Sequence, residues 1–151
     1  MKIALVASAG GHLNELLKLE KAWEGREVFF VTTVEIVARE LEERYKTRVY
    51  VVGESNHQHP WQVLKAFLRC ARIVMSEKPD VVMSTGAAHG CLMCALGKAS
   101  GARVVWIDSI ANVDRPSLSG RMVRRFADLF LVQWPDLVSR YSGAEYHGNL
   151  L

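Results

Sequence analysis

Two residues three positions apart, His12 and Glu15, carry the clearest chemistry in this chain. On a helix they share one face, where a carboxylate can orient an imidazole. Histidine changes charge near neutral pH, so an oriented histidine suits general-base work. A polar first turn, with Glu15 simply favouring the helix dipole, fits the same two residues. Just before them stands Ser8-Ala9-Gly10-Gly11. Gly10 and Gly11 would let backbone N–H groups approach a ligand closely, and a helix start favours an anion; a ligand-free tight turn is the alternative. The run is neither G-x-G-x-x-G nor a loop ending in Gly-Lys-Ser/Thr, which argues against dinucleotide and P-loop readings. A second small turn, Ser84-Thr85-Gly86-Ala87-Ala88-His89-Gly90, offers the hydroxyls of Ser84 and Thr85 and exposed amides around Gly86. It fits a close backbone turn equally, and His89 alone reads as structural. Cys91 and Cys94 form a C-x-x-C inside an apolar run and read as core thiols. His57-Gln58-His59 has no Asp, Glu or Cys at a metal-ligand spacing and reads as a solvated loop. No metal and no cofactor is expected.

The elements that must position these residues alternate along the chain. Lys2–Ala7 is a near-continuous apolar run, as in a strand buried on both faces. A helix is predicted from His12 to Trp23, ended by Gly25. Strands at Glu27–Thr33 and Arg48–Val52 flank a helix over Val34–Tyr45, with Ile36, Val37, Glu40 and Leu41 on a partly apolar face. Gly53–His59 reads as a loop. Pro60 suits the first turn of a helix that carries Trp61, Leu64, Phe67, Leu68, Ala71 and Met75 as an apolar stripe to Pro79. Asp80–Ser84 is a strand, followed by a helix to about Ser100 with Gly101 as its cap. Arg103–Asp108 and Leu129–Gln133 are strands, Ser109–Ser117 a loop, Ser119–Phe126 and Asp136–Tyr141 short helices. Ala144–Leu151 has room for one edge strand. Alternation of this kind predicts a Rossmann-like, doubly wound parallel sheet with helices on both faces. Ligands in such sheets sit at the carboxyl ends of the strands, where Ser8–Gly11, Ser84–Gly90 and Asp108–Ser117 fall.

Composition narrows the class. The 151 residues suggest one domain over 1–151. Half the residues are hydrophobic and 23% are charged, which argues against a disordered chain. The longest apolar runs fall far short of the roughly 20 residues that cross a bilayer, and Lys2 precedes too few apolar residues for a secretory signal. Three cysteines suit a reducing cytosol better than a disulfide scaffold. A net charge of +3 is too small for a dedicated nucleic-acid binder. The helix from Pro60 sets Lys65, Arg69, Arg72 and Lys78 beside its apolar stripe, and Arg121, Arg124 and Arg125 also group on one helix edge. Such a helix can lie on an anionic membrane; a core-facing stripe with a solvated basic rim is the alternative.

Four segments in order carry a family resemblance: Ser8–Leu13, Lys78–Ala88, Pro116–Arg121 and Ala127–Trp134. From Lys2 to Leu151 the chain resembles the Alg-fourteen-like oligosaccharide biosynthesis proteins, most of all their bacterial capsule and exopolysaccharide branch. The opening is also similar to the Gly-Gly-His turn of the peptidoglycan N-acetylglucosaminyltransferase. The resemblance implies the amino-terminal, acceptor-binding half of a GT-B glycosyltransferase. It implies a separate Alg-thirteen-like partner that binds the UDP-sugar, a polyprenyl-diphosphate-linked sugar as acceptor, and a place at the cytoplasmic face of the plasma membrane. His12 is then the expected base, helped by Glu15. Gly10, Gly11, Ser84, Thr85, Gly86 and Ser109 would line the substrate cleft, and Arg115 would meet the acceptor diphosphate. Eukaryotic members carry an amino-terminal membrane anchor, whereas this sequence opens on its first strand. Many members have Glu-Ser followed by an arginine where this chain has Asp108-Ser109 and Asn112. A non-catalytic scaffold that recruits a separate transferase to the membrane is the rival expectation.

Overall fold

The computed structural model describes residues 1–53 and 60–150; the expected His57-Gln58-His59 loop lies outside them. Strands β1 (Lys2–Val6), β2 (Glu27–Thr32), β3 (Val49–Val51), β4 (Val81–Ser84), β5 (Arg103–Ile107), β6 (Leu129–Leu131) and β7 (Ala144–Glu145) form one sheet in the order β3-β2-β1-β4-β5-β6-β7. Every described pairing is parallel. Ala4 stands between Phe29 and Val82 in register. The doubly wound sheet expected from the alternating pattern is therefore present, with its order reversing between β1 and β4. That is the switch point where such sheets open a crevice.

Successive side chains of β1 point to opposite faces and feed two cores. Ala4 and Val6 pack with Cys70, Val74, Met93 and Cys94 from helices α4 (Pro60–Glu77) and α5 (Ala88–Ala99). Ile3, Leu5 and Ala7 pack with Leu13, Leu16, Trp23 and Leu41 from α1 (Gly11–Lys18), α2 (Glu20–Trp23) and α3 (Glu35–Tyr45). The short helices α6 (Leu118–Val123) and α7 (Asp136–Arg140) complete the set.

Some elements differ from expectation. The predicted helix from His12 to Trp23 breaks at Leu19, whose N–H bonds the Leu16 carbonyl. The break lets α2 bury Trp23 edge-on against Phe30 and Tyr45. Ile36 on α3 is exposed, and Ala38 and Leu41 take the buried positions. The last strand is only Ala144–Glu145. Helix α4 turns Ala66, Cys70, Ile73 and Val74 inward, leaving Trp61, Leu64, Phe67, Leu68 and Met75 exposed. It therefore has apolar side chains on two faces, and the expected stripe lies on the outer one. Glu77 anchors its end. This buried carboxylate accepts from Lys2 Nζ at 3.0 Å, from Arg48 Nη1 at 2.6 Å and from the Tyr50 hydroxyl. Burial alone would raise the Glu77 pKa, but these donors together lower it. Arg69 also has a structural task, donating to the Val52 carbonyl at 3.1 Å.

Candidate functional site

The turns after β1, β4 and β5 meet at the switch point. Gly10 caps α1 with φ 94°, a conformation that suits a residue without Cβ. Neither Gly10 nor Ala87, the residue before α5, caps its helix through a side chain. Both helix starts therefore direct first-turn N–H groups and a positive dipole end toward this side of the sheet. Gly11 opens α1 with free space around it.

His12 sits in the first turn of α1, with its side chain 31% exposed. Its ring lies over Gly86, where an added Cβ would stand 2.4 Å from the ring carbon Cε1. Thr85 is buried, and its hydroxyl donates to the His12 carbonyl at 2.6 Å. Ser84 holds the same turn: its buried Oγ accepts from the Gly86 N–H and donates to the Gly86 carbonyl, each at 3.3 Å. The β4 turn thus forms the floor on which the imidazole rests.

Glu15 lies one turn further along α1, and its side chain is 8% exposed. Its Oε1 accepts from the Ser109 hydroxyl at 2.9 Å and from the Ile110 N–H at 3.1 Å. Its Oε2 faces His12 Nδ1 at 4.0 Å, and both of these atoms are buried without a hydrogen-bond partner. A shift of about 1 Å would join them. The arrangement points Nδ1 inward to a carboxylate and leaves Nε2 as the nitrogen available to a substrate.

The loop after β5 depends on a residue that the motif reading treated only as a departure. Asp108 is buried and accepts from Trp106 Nε1, Asn112 Nδ2, and both the N–H and hydroxyl of Ser117. Its backbone carbonyl accepts from Gln133 Nε2. Asp108 thereby fixes the loop that presents Ser109 to Glu15. A lone Asp at a strand end gives no hint of this, because only the folded loop brings Trp106, Asn112, Ser117 and Gln133 around it. Arg115 is exposed and makes no hydrogen bond or ion pair among the described residues. It is not among the residues lining the cleft.

A cleft of about 770 Å³ opens beside His12. Ser8, Thr33 and His89 line it with His12, and α5 and α6 contribute Cys91, Leu92, Leu118 and Met122. His89 is 4% exposed, and its Nε2 has no partner. Burial first, then the proximity of His12, pushes its pKa down to about 4, against a backbone hydrogen bond at Ala7. It is therefore neutral around pH 7. Cys94 is buried, whereas Cys91 is only half-buried at the cleft wall. Among the described residues, no three His, Cys, Asp or Glu side chains gather as a metal site, and no helix is long and apolar enough to cross a membrane.

Comparison with known proteins identifies the family and the fold. Residues 3–150 match the family described as "Oligosaccharide biosynthesis protein Alg14 like". The UDP-N-acetylglucosamine transferase subunit ALG14 of Yarrowia lipolytica is 29% identical over 175 residues, covering 99% of this chain and 81% of the relative. The mouse protein of the same name is 25% identical over 185 residues, covering 100% of this chain and 83% of its own. Among solved structures, MurG of Acinetobacter baumannii superposes with TM-score 0.78 at 17% identity, over 99% of this chain and 46% of that one. The UDP-GlcNAc 2-epimerase of Neisseria meningitidis, bound to UDP-GlcNAc, superposes with TM-score 0.69 at 12% identity, over 99% and 47%. The chain thus spans just under half of these solved proteins and shares their Rossmann-like fold. It belongs to the Alg14-like family of oligosaccharide biosynthesis proteins.

Proposed function

We propose that this chain is the acceptor-binding, membrane-associating subunit of a two-component inverting glycosyltransferase. A separate partner of the Alg-thirteen-like kind holds the UDP-sugar. The acceptor is a sugar linked through diphosphate to a polyprenyl lipid at the cytoplasmic face of the membrane. The observation that carries this reading is the His12–Glu15 pair at the sheet's switch point, with Nδ1 turned to the carboxylate and Nε2 left for a substrate.

In the reaction, the acceptor hydroxyl oxygen forms a bond to the anomeric carbon of the donor while the bond to UDP breaks. His12 Nε2 takes the hydroxyl proton as that bond forms. Glu15, itself held by Ser109 and Ile110, stabilises the tautomer with the proton on Nδ1 and then the imidazolium. The first-turn amides of α1 and α5 face the diphosphate. Arg115, outside the lining of the cleft, is assigned to the same group on chemistry alone, since a guanidinium matches phosphate oxygens in a bidentate way. The names of the relatives make UDP-N-acetylglucosamine the first donor to test.

His12→Ala and Glu15→Gln test this reading in the complex with the donor subunit. Both should abolish or reduce turnover by 10²-fold or more, on the scale of general-base catalysis, while co-purification of the two subunits persists. In Glu15→Gln the amide NH₂ faces Nδ1 and favours the tautomer with its proton on Nε2, so that nitrogen no longer accepts. Unchanged turnover in His12→Ala would leave the chain a scaffold that recruits the true transferase.

A further inference from the structure

Glu15 takes both its donors, the Ser109 hydroxyl and the Ile110 N–H, from one short loop. Residues 109–112 lie beyond β5, so sheet pairing does not fix them. Three successive carbonyls nevertheless each have a donor. Asp108 accepts from Gln133 Nε2 at 3.0 Å, Ser109 from the Asn112 N–H at 3.0 Å, and Ile110 from Trp134 Nε1 at 2.7 Å. The outer two donors are chain neighbours just past β6, and they grip the backbone on either side of Ser109. Gln133 is buried, and both ends of its amide are used. Its Oε1 accepts from the Leu150 N–H at 2.7 Å. A flipped amide would set Nε2 against that N–H and Oε1 against the Asp108 carbonyl, so Leu150 holds Nε2 in its donating position. Lys18, one turn beyond Glu15 on α1, donates in turn to the Leu150 carbonyl at 2.7 Å. Trp134 is half-buried against the core beside β6, which fixes where its ring N–H points.

Resting on the transferase reading above, we propose that Gln133 and Trp134 are positioning residues of the base: they aim the Ser109 hydroxyl and the Ile110 N–H at Glu15, and so fix the carboxylate that faces His12. Neither side chain is among those lining the cleft, so both act at second hand. With Oε1 tied to two donors, Oε2 is the oxygen left to face His12 Nδ1. A loop that drifts releases Oε1, the carboxylate turns freely, and the imidazole loses the partner that sets its tautomer. A displacement of about 1 Å, remote from the chemistry, can lower a rate about 10²-fold. Substrate binding uses neither of the two loop donors, so the pair acts on kcat and leaves KM alone.

Two variants test this. Trp134→Phe keeps the ring's packing and removes only its N–H, so the fold should persist. Gln133→Met keeps the length of an unbranched side chain and removes both amide bonds. The first readout needs no partner: amide hydrogen exchange in the full chain, followed by NMR. Each variant should lower the protection of the Ile110 N–H by about tenfold while the amides of β1 keep theirs. The second readout is transfer in the complex with the donor subunit. Each variant should lower kcat by about tenfold with KM unchanged within about twofold. The same substitutions in a Glu15→Gln background should cost nothing further, because residues that act through one carboxylate are not additive. Unchanged exchange at Ile110 would overturn the proposal whatever the activity. Equal fold-losses in the wild-type and Glu15→Gln backgrounds would also overturn it, since the pair would then support the fold and not the base. Unchanged kcat in both variants, in a complex that His12→Ala inactivates, would refute the positioning role and leave the transferase reading standing. Full turnover in His12→Ala would instead remove the base itself, and the positioning role with it.

Discussion

Ala87 holds φ 67° and ψ 167° at the start of α5, a region that side chains with a Cβ avoid at a cost of order 1–3 kcal/mol. Ala87→Gly should therefore stabilise the fold by roughly 1 kcal/mol, less than the full strain because glycine gains freedom in the unfolded chain. Urea denaturation measures it, and a loss of stability would mean that the turn is not strained. Two residues on, His89 has a different energetic signature. Its pKa falls from 6.5 to about 4 on folding, so the unfolded chain binds the proton more readily. The contribution of this buried neutral ring is complete above about pH 6.5 and is lost as pH falls toward 4. At 1.36 kcal/mol per unit this is at most roughly 3 kcal/mol. The acid sensitivity of unfolding between pH 6.5 and 4.5 should shrink in His89→Gln, and an unchanged slope would assign it to other groups. His12 and Glu15 were legible as a pair from their spacing, and Ser84 to Gly86 from their small size. The holding roles of Thr85 and Ser109 were not, since each depends on a partner far away in sequence.

Helix α4 shows why strands and helices can be read from a sequence more readily than their orientation. Its apolar residues satisfy helical spacing on two faces, and spacing cannot choose which one packs. The sheet takes the smaller side chains Ala66 and Cys70, which permit close approach, and Trp61 and Leu68 remain outside. A helix with apolar side chains on two faces has a second apolar surface left to cover. Binding to anionic vesicles is the expected consequence, weakening as salt rises because each basic side chain contributes about 1 kcal/mol near such a surface. Lys65→Gln with Arg72→Gln should lower the affinity by about 10-fold or more in a liposome flotation assay. Arg69 is best left intact, because its bond to Val52 makes its loss a structural change. Wild-type protein that ignores anionic vesicles at low salt would remove α4 from the membrane contact. Breaks such as that at Leu19 escape sequence reading for a related reason: the bend serves Trp23, whose ring partners Phe30 and Tyr45 lie on other elements.

The parallel sheet as a whole was legible because its strands are short apolar runs separated by helical spacing, a pattern that admits few topologies. The proposed division of labour with a second subunit belongs to the whole molecule too. On the proposed reading the partner holds the donor, and this chain shares the fold of the 46% of MurG it superposes on. The isolated chain should therefore bind UDP-N-acetylglucosamine weakly or not at all in a calorimetric titration. Tight binding without a partner would contradict the split arrangement.

The hydrogen bonds that build the site also impose an order of events on the folding chain. Thr85 reaches back 73 positions to His12, and Ser109 reaches back 94 positions to Glu15. Contacts of such separation require distant loops to close first, which slows folding and defers their formation. Local helices can appear early, but the imidazole gains its floor and its carboxylate gains its anchor only when β1, β4 and β5 lie side by side. A nascent or partly unfolded chain therefore lacks the His12–Glu15 arrangement, and the competence proposed for it becomes a property of the completed sheet.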